Sequence, residues 1–200
     1  MGKTYVIDIE ATGLNPSTAE IIQFTALEYS KSYSDWKLYN WYFKPNRPVP
    51  AEVTNITGLT TEFLNEASDG LSFLEQCDQI RHIFNSENIL VGHNIAGYDC
   101  NVIKNNFLKQ GVRLMKFPSM FDTMRRAKEL SFIDSGKWIK LGELYLKCAD
   151  WYGFDNPNKL IEYFCNKFNL DTSENHSHNA MYDVIMNTIV YQVMLEDLGI

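Results

Sequence analysis

Basic residues are scarce in this sequence: 18 Lys and Arg stand against 25 Asp and Glu, for a formal net charge of −7 and a pI near 5.1. A protein that wraps duplex nucleic acid holds phosphates on a positive surface, so this balance excludes electrostatic wrapping. A strand terminus gripped at a few points stays open. Cysteine is sparse too. Cys77, Cys100, Cys148 and Cys165 stand far apart and none forms a C-x-x-C pair, which removes a zinc ribbon or a dithiol redox motif. In a reducing compartment they read as small, half-buried apolar side chains. No apolar run reaches the roughly 20 residues of a membrane-spanning helix. Residues 1–5 lead into strand-like sequence rather than a signal peptide, and Val6 stands where a myristoylation motif wants Ser or Thr. Repeats, low-complexity tracts and long linkers are missing as well. The expectation is a cytoplasmic protein with no membrane partner, and a single domain over residues 1–200.

What is plentiful is apolar surface, 45% of residues with 14% aromatic, enough for a sizeable core. Strand-like runs occupy residues 4–10, 20–29 and 37–44, and the short gap after Tyr29 favours an antiparallel hairpin. A Pro-bearing loop is expected over 45–62 and a helix over 70–85 with Leu71, Leu74, Cys77, Ile80, Ile83 and Phe84 on one face. Residues 89–91 are short and fully apolar, as a buried parallel strand would be. Helical spacing over 99–109, a short strand near Met120, and further helices over 123–131, 139–149, 158–168 and 179–197 complete the pattern. Such an alternation reads as α/β with a mixed central sheet.

Three clusters carry chemistry. In Tyr5-Val6-Ile7-Asp8-Ile9-Glu10 the strand period places Asp8 and Glu10 side by side on one face. Adjacent carboxylates repel unless a cation sits between them, although a solvated edge strand would also tolerate them. The second cluster, Gly92-His93-Asn94-Ile95-Ala96-Gly97-Tyr98-Asp99, follows the buried strand directly. It sets Asp99 at a helix start beyond a strand's carboxyl end, where α/β sheets bind ligands; an ordinary helix cap is the competing reading. The third, His176-Ser177-His178-Asn179-Ala180-Met181-Tyr182-Asp183, opens an apolar-periodic helix with Asp183 in its first turns.

Together, D-I-E-A-T-G at 8–13, G-H-N-x-x-x-Y-D at 92–99 and H-N-A-x-x-D at 178–183 resemble the three motifs of the DEDDh 3′→5′ exonucleases, a branch of the ribonuclease H-like superfamily. The resemblance runs from residue 4 to about 196. It implies a mixed five-stranded central sheet flanked by helices. It also implies two divalent cations held by Asp8, Glu10, Asp99 and Asp183, with His178 as general base because the family places it five residues before the last acid. His176, seven before, does not fit. The implied contacts to the 3′-terminal nucleotide are Thr12, Gly13, Leu14, Ile56, Thr57 and Asn94. Asn55 stands where the family often has His, a departure within the I-T-G-L segment at 56–59. His93 and Asp122 are expected to be structural.

Phosphodiester hydrolysis needs an activated nucleophile and neutralised attacking and leaving oxygens, which paired hard cations provide. An all-carboxylate donor set points to Mg²⁺ or Mn²⁺ rather than zinc. A histidine near its ordinary pKa suits base work at neutral pH. The expected reaction releases nucleoside 5′-monophosphates from the 3′ end of single-stranded DNA or RNA. Alternatives are a catalytically silent nucleic-acid-binding module of the same fold and the proofreading subunit of a DNA polymerase. Such subunits usually carry a partner-binding tail, so the end of the sequence at Ile200 makes a free-standing enzyme the expectation, with a homodimer or polymerase association as further possibilities. The Lys104, Lys109, Arg113, Lys116 group and the Arg125, Arg126, Lys128 group read as ordinary solvated helix faces. Trp138, Trp151 and Tyr152, between the second and third motifs, mark a stretch where substrate or partner preference could reside.

Overall fold

The alternation in the first strand decides the layering. Tyr5, Ile7 and Ile9 of β1 (Thr4–Ala11) are buried on one face, and Val6 is buried on the other. The computed structural model describes residues 2–112, 114, 116–130, 137–151, 153, 155–170 and 179–197. β1 is the middle strand of a five-stranded sheet in the order β3-β2-β1-β4-β5. β2 (Ile21–Tyr29) pairs antiparallel with β1 and with β3 (Lys37–Tyr42), forming the expected hairpin. β4 (Ile89–Gly92) and β5 (Ser119–Asp122) run parallel to β1 on its other side.

One face of the sheet is covered by α3 (Phe73–Ile80), its 3₁₀ continuation Arg81–Phe84, and α4 (Asp99–Lys109), packed on Tyr5, Ile7, Ile9, Phe24 and Leu90. The opposite face holds α5 (Thr123–Glu129), α6 (Leu141–Trp151), α7 (Pro157–Lys167) and α8 (Ala180–Asp197) against Val6, Leu27 and Val91. This is the mixed five-stranded, helix-flanked sheet that the motifs implied.

Two expectations need correction. The Pro-bearing stretch 45–62 is not all loop: it contains α1 (Ala51–Thr57) and the start of α2 (Thr61–Ala67). Pro50 sits at the cap position, Gly58 ends α1 in the left-handed region at φ 74°, and the Thr60 side chain caps α2 by accepting from the Phe63 N–H. Two seven-residue helices that bury only Leu64 between them leave no apolar stripe to betray a helical period. The helix expected over 70–85 begins at Phe73, where Glu75 reaches back to the Ser72 N–H at 2.8 Å. Its buried stripe is Phe73, Cys77, Ile80, Ile83 and Phe84, while Leu74 is 56% exposed. All four cysteines are free, and they are fully rather than half buried. Among the described residues no helix is long and apolar enough to cross a membrane.

Candidate active site

Asp8 and Glu10 project from β1 on the side of Val6, the face that α8 covers. The pairing slips directly after Glu10, from Glu10 opposite Gln23 to Ala11 opposite Ile21. An irregularity of that kind bends a strand where a site needs its side chains re-aimed. The α8 helix starts on Asn179, whose side chain accepts from the Met181 N–H at 3.1 Å and whose carbonyl accepts from the Asp183 N–H at 3.0 Å. This capping fixes Asp183 in the first turn. Carboxylate oxygens of Asp8, Glu10 and Asp183 then lie within 4.8 Å of one another.

Asp99 is the first residue of α4 and is buried. Tyr98 occupies the cap position and its side chain makes no capping bond, so Asp99 is not there as a cap. It stands outside the three-oxygen group but close enough for its charge to act on Asp8 and Glu10. Burial pushes all four carboxyl groups above the usual carboxylate range. For Asp8 and Glu10 the neighbouring acids add to that rise; for Asp99 its own backbone amide and that of Ile9 offset part of it. No ion pair between described residues involves any of the four. Crowded, partly dehydrated carboxylates without a basic partner are stabilised in the main by protons or by cations. The donors in this cluster are all hard oxygens, so the residues present fit a hard divalent ion.

Several supporting residues lay beyond the sequence reading. Opposite the acids on β2 are Gln23 and Thr25, both buried, whose side chains donate to the side-chain Oδ1 of Asn40 on β3 at 2.9 and 2.7 Å. Two polar residues spaced by two within the otherwise apolar run Ile21–Leu27 were the available signal. The Tyr98 hydroxyl donates to the Gly13 carbonyl at 2.6 Å and ties the second motif to the turn after β1. Asp122 accepts from the N–H groups of Asn94, Ala96, Met124 and Arg125, capping α5 and clamping the loop before Asp99 at once. His93 bridges Thr123 Oγ1 at 3.1 Å and the Ile139 carbonyl at 2.8 Å. Since a carbonyl can only accept, Nε2 carries the proton. Burial lowers the pKa of this imidazole, so both His93 and Asp122 are structural, as expected.

The residues implied to hold the terminal nucleotide are placed as follows. Thr12, Gly13 and Leu14 follow Glu10 directly; Thr12 Oγ1 accepts from the Glu20 N–H, and Leu14 is 91% exposed. Ile56 and Thr57 end α1, with Ile56 exposed and the Thr57 hydroxyl bonded to the Val53 carbonyl. The flanking Val49, Val53 and Leu59 pack on Ile22 and Tyr42 of the hairpin. Asn94 adopts the left-handed region at φ 59°. No hydrogen bond between described residues joins α1 to the acids. His178 and His176 lie outside the described residues.

A mixed α/β sheet with acids gathered at its central strand is an arrangement suited to metal-dependent hydrolysis. A family model described as Exonuclease, RNase_T, matches residues 5–191. The chain therefore belongs to the exonuclease family, as its resemblance to the DEDDh 3′→5′ exonucleases implied. It is 32% identical over 196 residues to the PolC-type DNA polymerase III of Ureaplasma parvum, covering 98% of this chain but 12% of that protein. It is 26% identical to the DNA polymerase III subunit epsilon of Buchnera aphidicola, covering 94% of this chain and 72% of the relative. The fold superposes on a zinc-bound E. coli ExoI complex with single-stranded DNA at a TM-score of 0.69, with 17% identity, over 100% of this chain and 42% of that one. The chain thus spans a small part of the PolC-type relatives it matches.

Proposed function

We propose that the chain is a two-metal-ion 3′→5′ exonuclease that hydrolyses the terminal phosphodiester of single-stranded DNA or RNA and releases nucleoside 5′-monophosphates. The observation that carries this reading is the meeting of Asp8, Glu10 and Asp183 oxygens within 4.8 Å, beside Asp99, with no basic side chain among the described residues paired to them. These four acids would hold Mg²⁺ or Mn²⁺, since every donor is a hard oxygen; zinc, present in the ExoI complex, is the competing occupant. The bound cations would neutralise the attacking and leaving oxygens.

The chain's own residues have separable tasks in this scheme. The turn at Thr12 and Gly13, pinned to Glu20 by the Thr12 N–H, lines the place of the terminal nucleotide, and exposed Leu14 and Ile56 offer apolar surface to its base. Asn94, held by Asp122, faces the same end of the sheet. His178 takes a proton from the attacking water. Four buried thiols with no disulfide suit a reducing cytoplasm.

A second reading is favoured by the relatives: the PolC-type polymerase aligns over nearly the whole of this chain, which suits an exonuclease domain that edits for a polymerase. Time courses on 3′-labelled and 5′-labelled single strands, in Mg²⁺ and in EDTA, test the main reading. The 3′ label should leave at once as a mononucleotide while the 5′ label shortens stepwise, and both should stop in EDTA. Mononucleotides leaving first from the 5′ end would overturn the polarity. Preference for a mispaired over a paired primer terminus separates editing from simple trimming.

A further inference from the structure

Beside the second motif lies a groove of about 320 Å³ lined by Asn94, Gly97, Asp122, Arg125, Lys128 and Trp138, among others. We propose that it carries the body of a single strand upstream of its 3′ end, with Trp138 stacking on a base and Arg125 and Lys128 holding phosphates. This rests on the exonuclease reading and extends it from the terminal nucleotide to the rest of the strand.

Position is the first support. Gly97 lines the groove and stands two residues before Asp99, so their Cα atoms are at most roughly 7 Å apart. The groove therefore lies within one nucleotide's reach of the loop that carries Asp99, where the strand upstream of a bound 3′ end can enter it. The wall is tightly built: a Cβ at Gly97 would come within 2.4 Å of the Asn94 side-chain oxygen.

Charge is the second. In a chain of net charge −7, the groove gathers two cations, and its one acid is spent. Asp122 is engaged by four backbone N–H groups of the loop and of α5. The Arg125 side chain is exposed and makes no ion pair among the described residues, whereas neighbouring Arg126 is held by Glu129 at 2.7 Å. The basic group 125–128 is thus not one uniform solvated face.

The third support is the indole. Trp138 is 71% exposed, and Lys128 Nζ sits 4.3 Å from its ring centroid. One exposed aromatic says little by itself, but this one is held. Next to it, Ile139 is buried and its carbonyl accepts from His93 of the second motif. The backbone beside the ring is thus tied to the loop that leads to Asp99, with the Lys128 ammonium near one side of the ring and most of its surface open. Aromatic faces flanked by cations are the general means of holding single strands without reading their sequence.

The test compares kcat/KM on an oligo(dT) of about 12 nucleotides with kcat/KM on the p-nitrophenyl ester of thymidine 5′-phosphate, which fills only the terminal position. Trp138→Ala should lower the oligonucleotide-to-ester ratio roughly 5- to 150-fold, and Trp138→Phe should restore most of it. Arg125→Ala with Lys128→Ala should lower the ratio and flatten its dependence on salt. The charge-matched pair Arg81→Ala and Lys116→Ala, at a separate hollow beside Asp78 and His82, should leave the ratio as it is. Oligo(rU) should show the same losses, because ring faces and phosphates carry no sugar identity. An unchanged ratio in Trp138→Ala overturns the groove while leaving the exonuclease reading intact. Should the wild type cut neither substrate in Mg²⁺, the exonuclease reading falls. The groove is then judged by quenching of tryptophan emission on adding oligo(dT) in EDTA: quenching lost in Trp138→Phe supports it, and no quenching in the wild type refutes it.

Discussion

The two faces of β1 obey opposite rules. On one, Tyr5, Ile7 and Ile9 are buried among Phe24, Phe84 and Phe107, where every contact favours the folded state. On the other, Val6 gives way to Asp8 and Glu10, which meet Asp183 and feel Asp99. Removing water from like charges opposes folding until a cation arrives. A single strand therefore contributes stability through Tyr5, Val6, Ile7 and Ile9 and gives up some of it at Asp8 and Glu10 for the sake of a site.

The sharpest way to break this comparison is to neutralise one acid. Asp8→Asn or Asp183→Asn should lower hydrolysis in Mg²⁺ by about 10³-fold or more, since lost charge stabilisation amounts to several kcal/mol, while the circular dichroism spectrum stays native. Near-normal turnover in either variant would dismiss the site. His178→Ala is expected to cost about 10²–10⁴-fold with little change in apparent Mg²⁺ affinity; if His176→Ala does the damage instead, the base has been misassigned. On the apolar face the effect should be of the other kind. Ile7→Ala should lower unfolding stability by about 2–5 kcal/mol in a urea titration, with kcat per folded molecule nearly kept.

The smallest effect concerns the acids without metal. Their raised pKa values mean that the folded state favours the protonated forms. Their contribution to stability is present below the ordinary carboxylate range and is lost as pH rises through the raised values, about 7 for Asp99 and Asp183. In EDTA, then, Asp8→Asn should melt above the wild type by a margin that widens between about pH 5 and pH 8, on the order of 1 kcal/mol. Saturating Mg²⁺ should reverse the order. A margin independent of pH would show that the cluster is not strained by charge.

The legible parts were those with a local period. Alternation in β1 and the apolar runs of β2 and β4 could be read from the residues, and the three motifs named the acids; α8 was legible as a helix, but it is buried all round from Val184 to Tyr191 rather than along one stripe. Helices α1 and α2 could not, because seven residues around a Pro and a Gly bury almost nothing and so show no period. Leu74 misled because helical spacing lists two adjacent stripes and only packing selects one. The Tyr98–Gly13 bond and the four amides on Asp122 join segments far apart in sequence, where no spacing rule reaches. The basic group 125–128 looked uniform until Glu129 claimed Arg126 and left Arg125 and Lys128 beside Trp138.

The sequence by itself determined that Asp8 and Glu10 share a face, because a strand has period two. It also determined that every donor at the site is a hard oxygen. Only the tertiary structure decided that Asp183 joins them within 4.8 Å and that Asp99, buried at a helix start, acts on them through charge. Local periodicity encodes which way a side chain points. Which side chains meet depends on the strand order β3-β2-β1-β4-β5 and on α8 packing across it, and both are settled by burial of the whole core.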